Sequence, residues 1–196
     1  MLYIYLHGFN SAYDSNLPKV QELSHIGNVI GITYNTFDTY ENIHAYLVSS
    51  VPGTDEEFAF VGTSLGGYWA AEMGRYFAVP SVIINPCYDP RTMLMKYVGV
   101  PSTNYLTGEI NTLTVESVES YPHPIQTEHE TYFFSPLVLL DLGDETINSF
   151  QTIKTLSNFT IHEWVGGSHR FDHMKEALPY IHEYTNLCSF VEQLNV

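Results

Sequence analysis

Positive charge is scarce in this chain: 7 Lys and Arg stand against 22 Asp and Glu, a formal net charge of −15. No Lys/Arg cluster relieves the acidity. Such a field repels nucleic acid and anionic membrane surfaces, so neither is expected as a partner. The acidity is read as serving solubility or a salty surrounding rather than catalysis. Cysteine is nearly as rare. Cys87 and Cys188 fall in opposite halves of the chain, which suggests neither a disulfide framework nor a paired Cys-x-x-Cys zinc site, and a reducing cytoplasm is the expected compartment. No apolar run approaches the roughly twenty residues of a membrane span. No basic leader with an apolar stretch precedes the first strand, so neither membrane insertion nor export is expected. Internal repeats and low-complexity tracts are also missing.

What remains is the composition of a folded domain. The 196 residues are 44% hydrophobic and 14% aromatic, which suits one domain over 1–196 with a substantial core. Short apolar runs at Leu2–Leu6, Asn28–Tyr34, Glu57–Val61, Ser81–Asn85, Leu137–Leu142 and Phe159–Trp164 read as strands. Between them Leu17–His25, Thr39–Ser49, Leu65–Phe77, Thr146–Leu156 and Phe171–Gln193 carry helical spacing, the last interrupted near Pro179. Alternation of this kind predicts an α/β fold: a mostly parallel six-stranded sheet with helices on both faces. The stretch from Pro86 to Pro136 breaks the rhythm and is too long for an ordinary connection. It is read as a lid or cap with a short helix near Arg91–Val98. Tyr105, Tyr121, Tyr132, Phe133 and Phe134 would offer aromatic surface over a cleft; the alternative is a packed structural insertion.

The most telling segment is Phe58-Ala59-Phe60-Val61-Gly62-Thr63-Ser64-Leu65-Gly66-Gly67-Tyr68. An apolar strand runs into Gly-x-Ser-x-Gly and then directly into a helix, the sequence form of a nucleophile elbow. The bare pattern arises by chance in about one chain of this length in fifteen, so the flanking strand and helix carry the argument. Ser64 is the candidate nucleophile, and a serine nucleophile needs a base with a carboxylate behind it. Of nine histidines, His169 follows the last strand in Gly166-Gly167-Ser168-His169, at the sheet end where open α/β sheets bind ligands. His44 and His182 lie within helices and lack that placement. The acid should follow the preceding strand. Asp144 is preferred because it lies past Gly143 in a loop, with Asp141 and Glu145 as alternatives.

Two further positions complete the site. An oxyanion needs the amide after the nucleophile, here Leu65, and one from the loop after an early strand. His7-Gly8-Phe9-Asn10 occupies that loop, which nominates the Phe9 amide. His7 is a rival base, read chiefly as a structural histidine at a strand end. His169 and His173 have the i, i+4 spacing of two metal ligands, but no Glu follows the first and no third ligand is evident, so no metal site is expected. Cys87 is taken as a buried or loop thiol. The chain order Ser64, Asp144, His169 is that of the α/β hydrolases.

Taken together, His7-Gly8-Phe9-Asn10-Ser11, the Ser64 elbow, Asn85-Pro86, Gly143-Asp144-Glu145 and Gly166-Gly167-Ser168-His169 resemble the YqiA-like esterases, small bacterial α/β hydrolases. The resemblance spans nearly the whole chain. It implies a cytoplasmic serine esterase acting on small acyl esters or thioesters without a cofactor. By that resemblance Ser64 is the nucleophile, Asp144 the acid, His169 the base, and Phe9 and Leu65 the oxyanion donors. The strong acidity, the Arg170-Phe171-Asp172-His173 run and a divergent stretch from Thr107 to Ser135 depart from the usual pattern and leave the substrate open. Two other functions compete: an acyl-CoA thioesterase, disfavoured by the few cations available to a CoA tail, and a catalytically silent binding module.

Overall fold

The computed structural model of the chain describes residues 1–104, 106–128 and 131–194; Tyr105 lies outside them. The elements follow in the order Leu2–Leu6 (β1), Pro18–Leu23 (α1), Asn28–Ile32 (β2), Tyr40–Ser50 (α2), Phe58–Thr63 (β3), Leu65–Phe77 (α3), Ser81–Ile84 (β4) and Pro90–Met93 (α4). A 3-10 turn at Met95–Tyr97 precedes Pro101–Thr103 (β5), Ile110–Thr112 (β6), Val115–Glu119 (α5), Leu137–Asp141 (β7), Ser149–Thr155 (α6), Thr160–Trp164 (β8) and Met174–Leu194 (α7). Six strands form one sheet in the order β2-β1-β3-β4-β7-β8, and every pairing in it is parallel.

Strand alternation explains how both faces are covered. Leu2, Ile4, Leu6 and Phe60 join the core cluster containing Ile43 and Leu47 of α2 and Leu65, Trp69 and Met73 of α3. Tyr3, Tyr5, Ala59 and Val61 point the other way, into a second cluster with Val20 and Leu23 of α1 and Ala177 and Ile181 of α7. Two apolar faces require near-continuous apolar strands, and β1, β4 and β7 are buried at every residue. Strand order reverses at β1, which pairs with β2 on one side and β3 on the other. This is the switch point of an open α/β sheet, where a crevice opens at the strands' carboxyl ends.

The expected elements are all present, with local adjustments. β3 runs to Thr63 because Gly62 and Thr63 still pair with Ile83 and Ile84. α6 starts late, at Ser149, since Asn148 caps it through the Gln151 amide. α7 begins at Met174 rather than Phe171, whose φ of 65° is not helical. It continues through Pro179 without a break. Between β4 and β7, β5 and β6 form an antiparallel hairpin, and Leu113, Val118, Tyr121, Ile125 and Tyr132 enter the α2–α3 core. Tyr121, Tyr132 and Phe134 are therefore buried packing residues, and Phe133 alone of the described aromatic set is exposed. Glu72, fully buried on α3, accepts from Tyr40 Oη at 2.9 Å and from Arg75 Nη2 at 3.0 Å, as a buried carboxylate must. No helix among the described residues is long and apolar enough to cross a membrane.

The tightest packing is backbone against backbone where α3 leaves the sheet. A Cβ on Gly66 would overlap the Leu6 carbonyl, and one on Gly62 would overlap the Gly66 carbonyl. Gly66→Ala should therefore destabilise the fold by about 3 kcal/mol or more, read as a shift in urea unfolding followed by circular dichroism. Gly53→Ala, with nothing within 4 Å of the added carbon, should stay within about 0.5 kcal/mol of the parent.

Candidate active site

β3 ends at Thr63 and α3 begins at Leu65, leaving Ser64 alone on the turn with φ 58° and ψ −123°. That conformation is unfavourable for a residue bearing a Cβ and persists only where the surroundings impose it. Here Gly62, Gly66 and Gly67 allow strand, helix and the Pro86 ring to close around it, a Cβ on Gly67 falling 2.9 Å from Pro86 Cβ. The Ser64 carbonyl accepts from the Gly67 and Cys87 amides, both at 2.9 Å. The peptide is fixed, and the hydroxyl projects past the sheet.

His169 arrives from the loop between β8 and α7. Its Nδ1–H donates to Asp144 Oδ2 at 2.8 Å, and its Nε2 lies 3.0 Å from Ser64 Oγ. With Nδ1 holding the proton, Nε2 is left to accept from the serine hydroxyl. The Asp144 side chain is 1% exposed and that of His169 21%, so the carboxylate is enclosed while the imidazole edge meets the cleft. The other Asp144 oxygen accepts the Thr146 and Ile147 amides, each at 2.8 Å, which aims the carboxylate at the histidine.

The two alternative acids also touch this loop, but neither reaches the His169 ring. Glu145 Oε2 accepts the His169 backbone N–H at 3.0 Å, and that bond holds its carboxyl below the usual range. Asp141 is fully buried. Its Oδ2 accepts the Ser168 and Asp172 amides at 3.2 and 2.7 Å, and its Oδ1 accepts from His173 Nδ1 at 2.7 Å. Asn85, with φ 40°, ties the same loop to the sheet. Its amide donates to the Ser168 carbonyl at 3.0 Å while its oxygen accepts the Asp141 N–H at 2.9 Å. The Asp141–His173 pair and the brace at Asn85 were not foreseen from the sequence. The only signal was the position of Asn85-Pro86 directly after a strand.

Phe9 and Leu65 line a cavity of about 340 Å³ together with Ser64, His169, Cys87, Met93, Leu94 and Tyr97. Among the described residues neither amide donates to another protein group. The Phe9 ring is held between Phe37, at 4.9 Å between centroids, and Tyr97, at 5.6 Å, which fixes the peptide carrying its amide. A second cavity of about 590 Å³ also includes Ser64 and His169. A third, about 830 Å³ at the carboxyl end of β2, contains none of Ser64, Asp144 or His169. Cys87 is buried, and burial pushes its thiol far above the ordinary range, the behaviour of an inert packing thiol.

His7 is fully engaged elsewhere. Its Nδ1–H donates to the Gly8 carbonyl at 2.8 Å, its Nε2 accepts the Tyr34 N–H at 3.2 Å, and the ring stacks on Tyr34 at 4.4 Å. Both nitrogens are used by the neutral tautomer, so His7 shapes the loop leading to Phe9 and has no free nitrogen for a base.

The model of the uncharacterised protein family UPF0227 matches residues 2–186. The chain belongs to the UPF0227 family. The UPF0227 protein YcfP of Escherichia coli O9:H4 (strain HS) is 28% identical over 191 residues, covering 94% of this chain and 98% of the relative. This UPF0227 chain also resembles solved structures. Against a monoacylglycerol lipase of Paleococcus ferrophilus the TM-score is 0.66 at 13% identity, over 94% of this chain and 93% of that one. Against the mouse alpha/beta hydrolase domain-containing protein 10 it is 0.61 at 16% identity, over 98% and 90%. At such identities the likeness speaks to the fold, which is that of the α/β hydrolases, in accord with the YqiA-like resemblance of the sequence.

Burial pushes the His7 imidazole from 6.5 down to about 4. Between those values the unfolded chain binds a proton that the folded chain refuses, so stability is full above the unfolded value and falls as pH drops towards 4. That loss should be on the order of 3 kcal/mol. Urea midpoints measured from pH 7 to pH 4 should show a shallower decline in His7→Asn than in the parent.

Proposed function

We propose that this protein is a serine esterase that hydrolyses carboxylic acyl esters through an acyl-enzyme. The observation that carries the reading is the continuous chain from Asp144 Oδ2 to His169 Nδ1 at 2.8 Å and from His169 Nε2 to Ser64 Oγ at 3.0 Å. It ends at a serine held on a strained turn beside two cavities. The names of fold neighbours, among them a monoacylglycerol lipase and an esterase domain from a Rhodothermus marinus protein, favour the same class.

In this reading His169 Nε2 takes the Ser64 proton as Oγ attacks the ester carbonyl. The tetrahedral oxyanion is met by the Phe9 and Leu65 amides. Collapse expels the alkoxide, which leaves as the alcohol with the proton from His169. Water then gives a proton to His169 and attacks the acyl carbon; Ser64 recovers a proton and the carboxylic acid departs. Asp144 keeps the Nδ1 tautomer and stabilises the imidazolium throughout. Each step uses groups of the chain and water. The insertion at 86–136 acts as the cap, since Met93, Leu94, Lys96, Tyr97 and Ser102 line the smaller cavity, and the cytoplasm is the proposed site of action.

A fluorophosphonate probe should add once to the wild type, with the adduct mapped to Ser64 by mass spectrometry, and should leave Ser64→Ala and His169→Ala unmodified. Folded wild-type protein that stays unlabelled and turns over no ester would favour a silent binding module instead. Asp144→Asn should fold normally and lose roughly three to four orders of magnitude in kcat on a para-nitrophenyl ester, whereas Asp141→Asn should show its larger effect on thermal stability.

A further inference from the structure

Cations are too few in this chain to be spread at random without notice, and they gather at the nucleophile. Lys19, Arg170 and Lys175 line the 590 Å³ cavity that contains Ser64 and His169, and Lys96 lines the smaller one. These are four of only 7 basic residues in a chain of net charge −15. The 830 Å³ cavity has acidic Asp38 and Glu109 on its wall and no Lys or Arg.

The three cations of the Ser64 cavity are also unspent. Among the described residues none of them forms an ion pair. Lys19 is partly buried, and among the described residues its Nζ finds one hydrogen-bond partner, the Thr63 hydroxyl at 3.5 Å. Thr63 is next to Ser64 in the chain, and its hydroxyl also meets Tyr5 Oη at 2.9 Å, so the ammonium bonds the residue adjoining the proposed nucleophile. Two carboxylates share the wall. Glu22 is engaged by His25 at 3.3 Å, and Asp172 is exposed at the rim. A cation drawn partly out of bulk water is costly, and Asp172 and Asp141 offset only part of that cost at Lys19. An incoming anion would remove that cost and gain a charge-assisted hydrogen bond.

We infer that the 590 Å³ cavity is an anion subsite, and that the preferred substrates are esters carrying a carboxylate or phosphate group near the reacting carbonyl, held by Lys19 with Arg170 and Lys175. This rests on the esterase reading of Ser64 and extends it to substrate class. Lys19 is a specificity residue: it contacts the anionic group and leaves the proton transfers to His169. In a field that is negative overall, such a patch also draws anions to the one place where they react.

The test compares matched substrates. Mono-para-nitrophenyl succinate is set against para-nitrophenyl butyrate, and para-acetoxybenzoate and para-acetoxyphenyl phosphate against the methyl ester of the former; the larger preference tells carboxylate from phosphate. Wild type should favour an anionic member in kcat/KM, and Lys19→Met should lower the anionic-to-neutral ratio about tenfold or more, mainly through KM. Lys19→Arg should restore much of it. If Lys19→Met does not fold, Arg170→Gln with Lys175→Gln, both exposed positions, should lower the same ratio.

The pH dependence adds a readout that a purely structural lysine would not move. Burial and Arg170 push the Lys19 ammonium down to about 8, against the opposing pull of Asp172 and Asp141; Glu22, Lys175, Tyr5 and His169 face the same cavity. The charge is present below that value and lost above it, so the wild-type ratio should fall as pH rises through about 8 while that of Lys19→Arg stays level. His169 serves both substrates and cancels in the ratio. Hydrolysis of both members with no anionic preference, or a preference that survives every cation variant, would overturn the subsite alone. Absence of turnover and of Ser64 labelling would remove the esterase reading beneath it.

Discussion

The Ser64 end of the molecule depends on a contact with no space for a side chain, the meeting of α3 with the end of β1. Gly66 lies against the Leu6 and His7 carbonyls, and Gly62 against the Gly66 carbonyl. Because these backbones touch, the chain must turn within one residue, and that residue is forced to φ 58°. The strain at Ser64 is sustained by the burial of β1, β3 and α3 around it, with Trp69, Tyr68 and Leu6 all fully out of water. The same contact brings the Gly8–Phe9 loop alongside, so the candidate nucleophile and candidate oxyanion donors are products of one packing event.

The opposite wall is built from polar atoms. Asp141 at the end of β7, Asn85 after β4 and His173 at the start of α7 bond one another or the 166–172 loop. Among the described residues none of them is hydrogen-bonded to Ser64. They hold a loop containing two positive-φ glycines and Phe171 at φ 65°, and so determine where His169 stands. A buried carboxylate with all its oxygens bonded makes a rigid support, while the same group half-satisfied would be a liability. The division is clear in chemistry: Asp144 serves the imidazole ring and Asp141 serves the backbone beneath it.

Charge supplies the third element of the picture. A chain with 22 acidic and 7 basic residues has a field that keeps anions away except where its few cations gather. That Lys19, Arg170 and Lys175 come from α1 and from the loop and first turn around α7 and still face one cavity follows from α1 and α7 packing on the same face of the sheet. The covering of that face thus shapes both a core and a charged recess beside Ser64.

Much of this was legible in the residues. Apolar runs with a period of two faces, the Gly-x-Ser-x-Gly turn and the Gly-Gly-Ser-His after the last strand are local patterns, and local patterns report local backbone states. They were enough for six strands and for the meeting of Ser64, His169 and Asp144 in one hydrogen-bonded chain, because a residue past the strand end is free to turn while one in the ladder is not. Helix starts were less legible, since caps such as Asn148 and the turn at Phe171 depend on bonds to neighbours. The inward packing of Tyr121, Tyr132 and Phe134, the Asp141–His173–Asn85 brace and the convergence of Lys19 with Arg170 and Lys175 belong to the tertiary structure alone. Each joins residues far apart in the chain, and their meeting is set by which face of the sheet each helix covers. No spacing along the sequence encodes that choice.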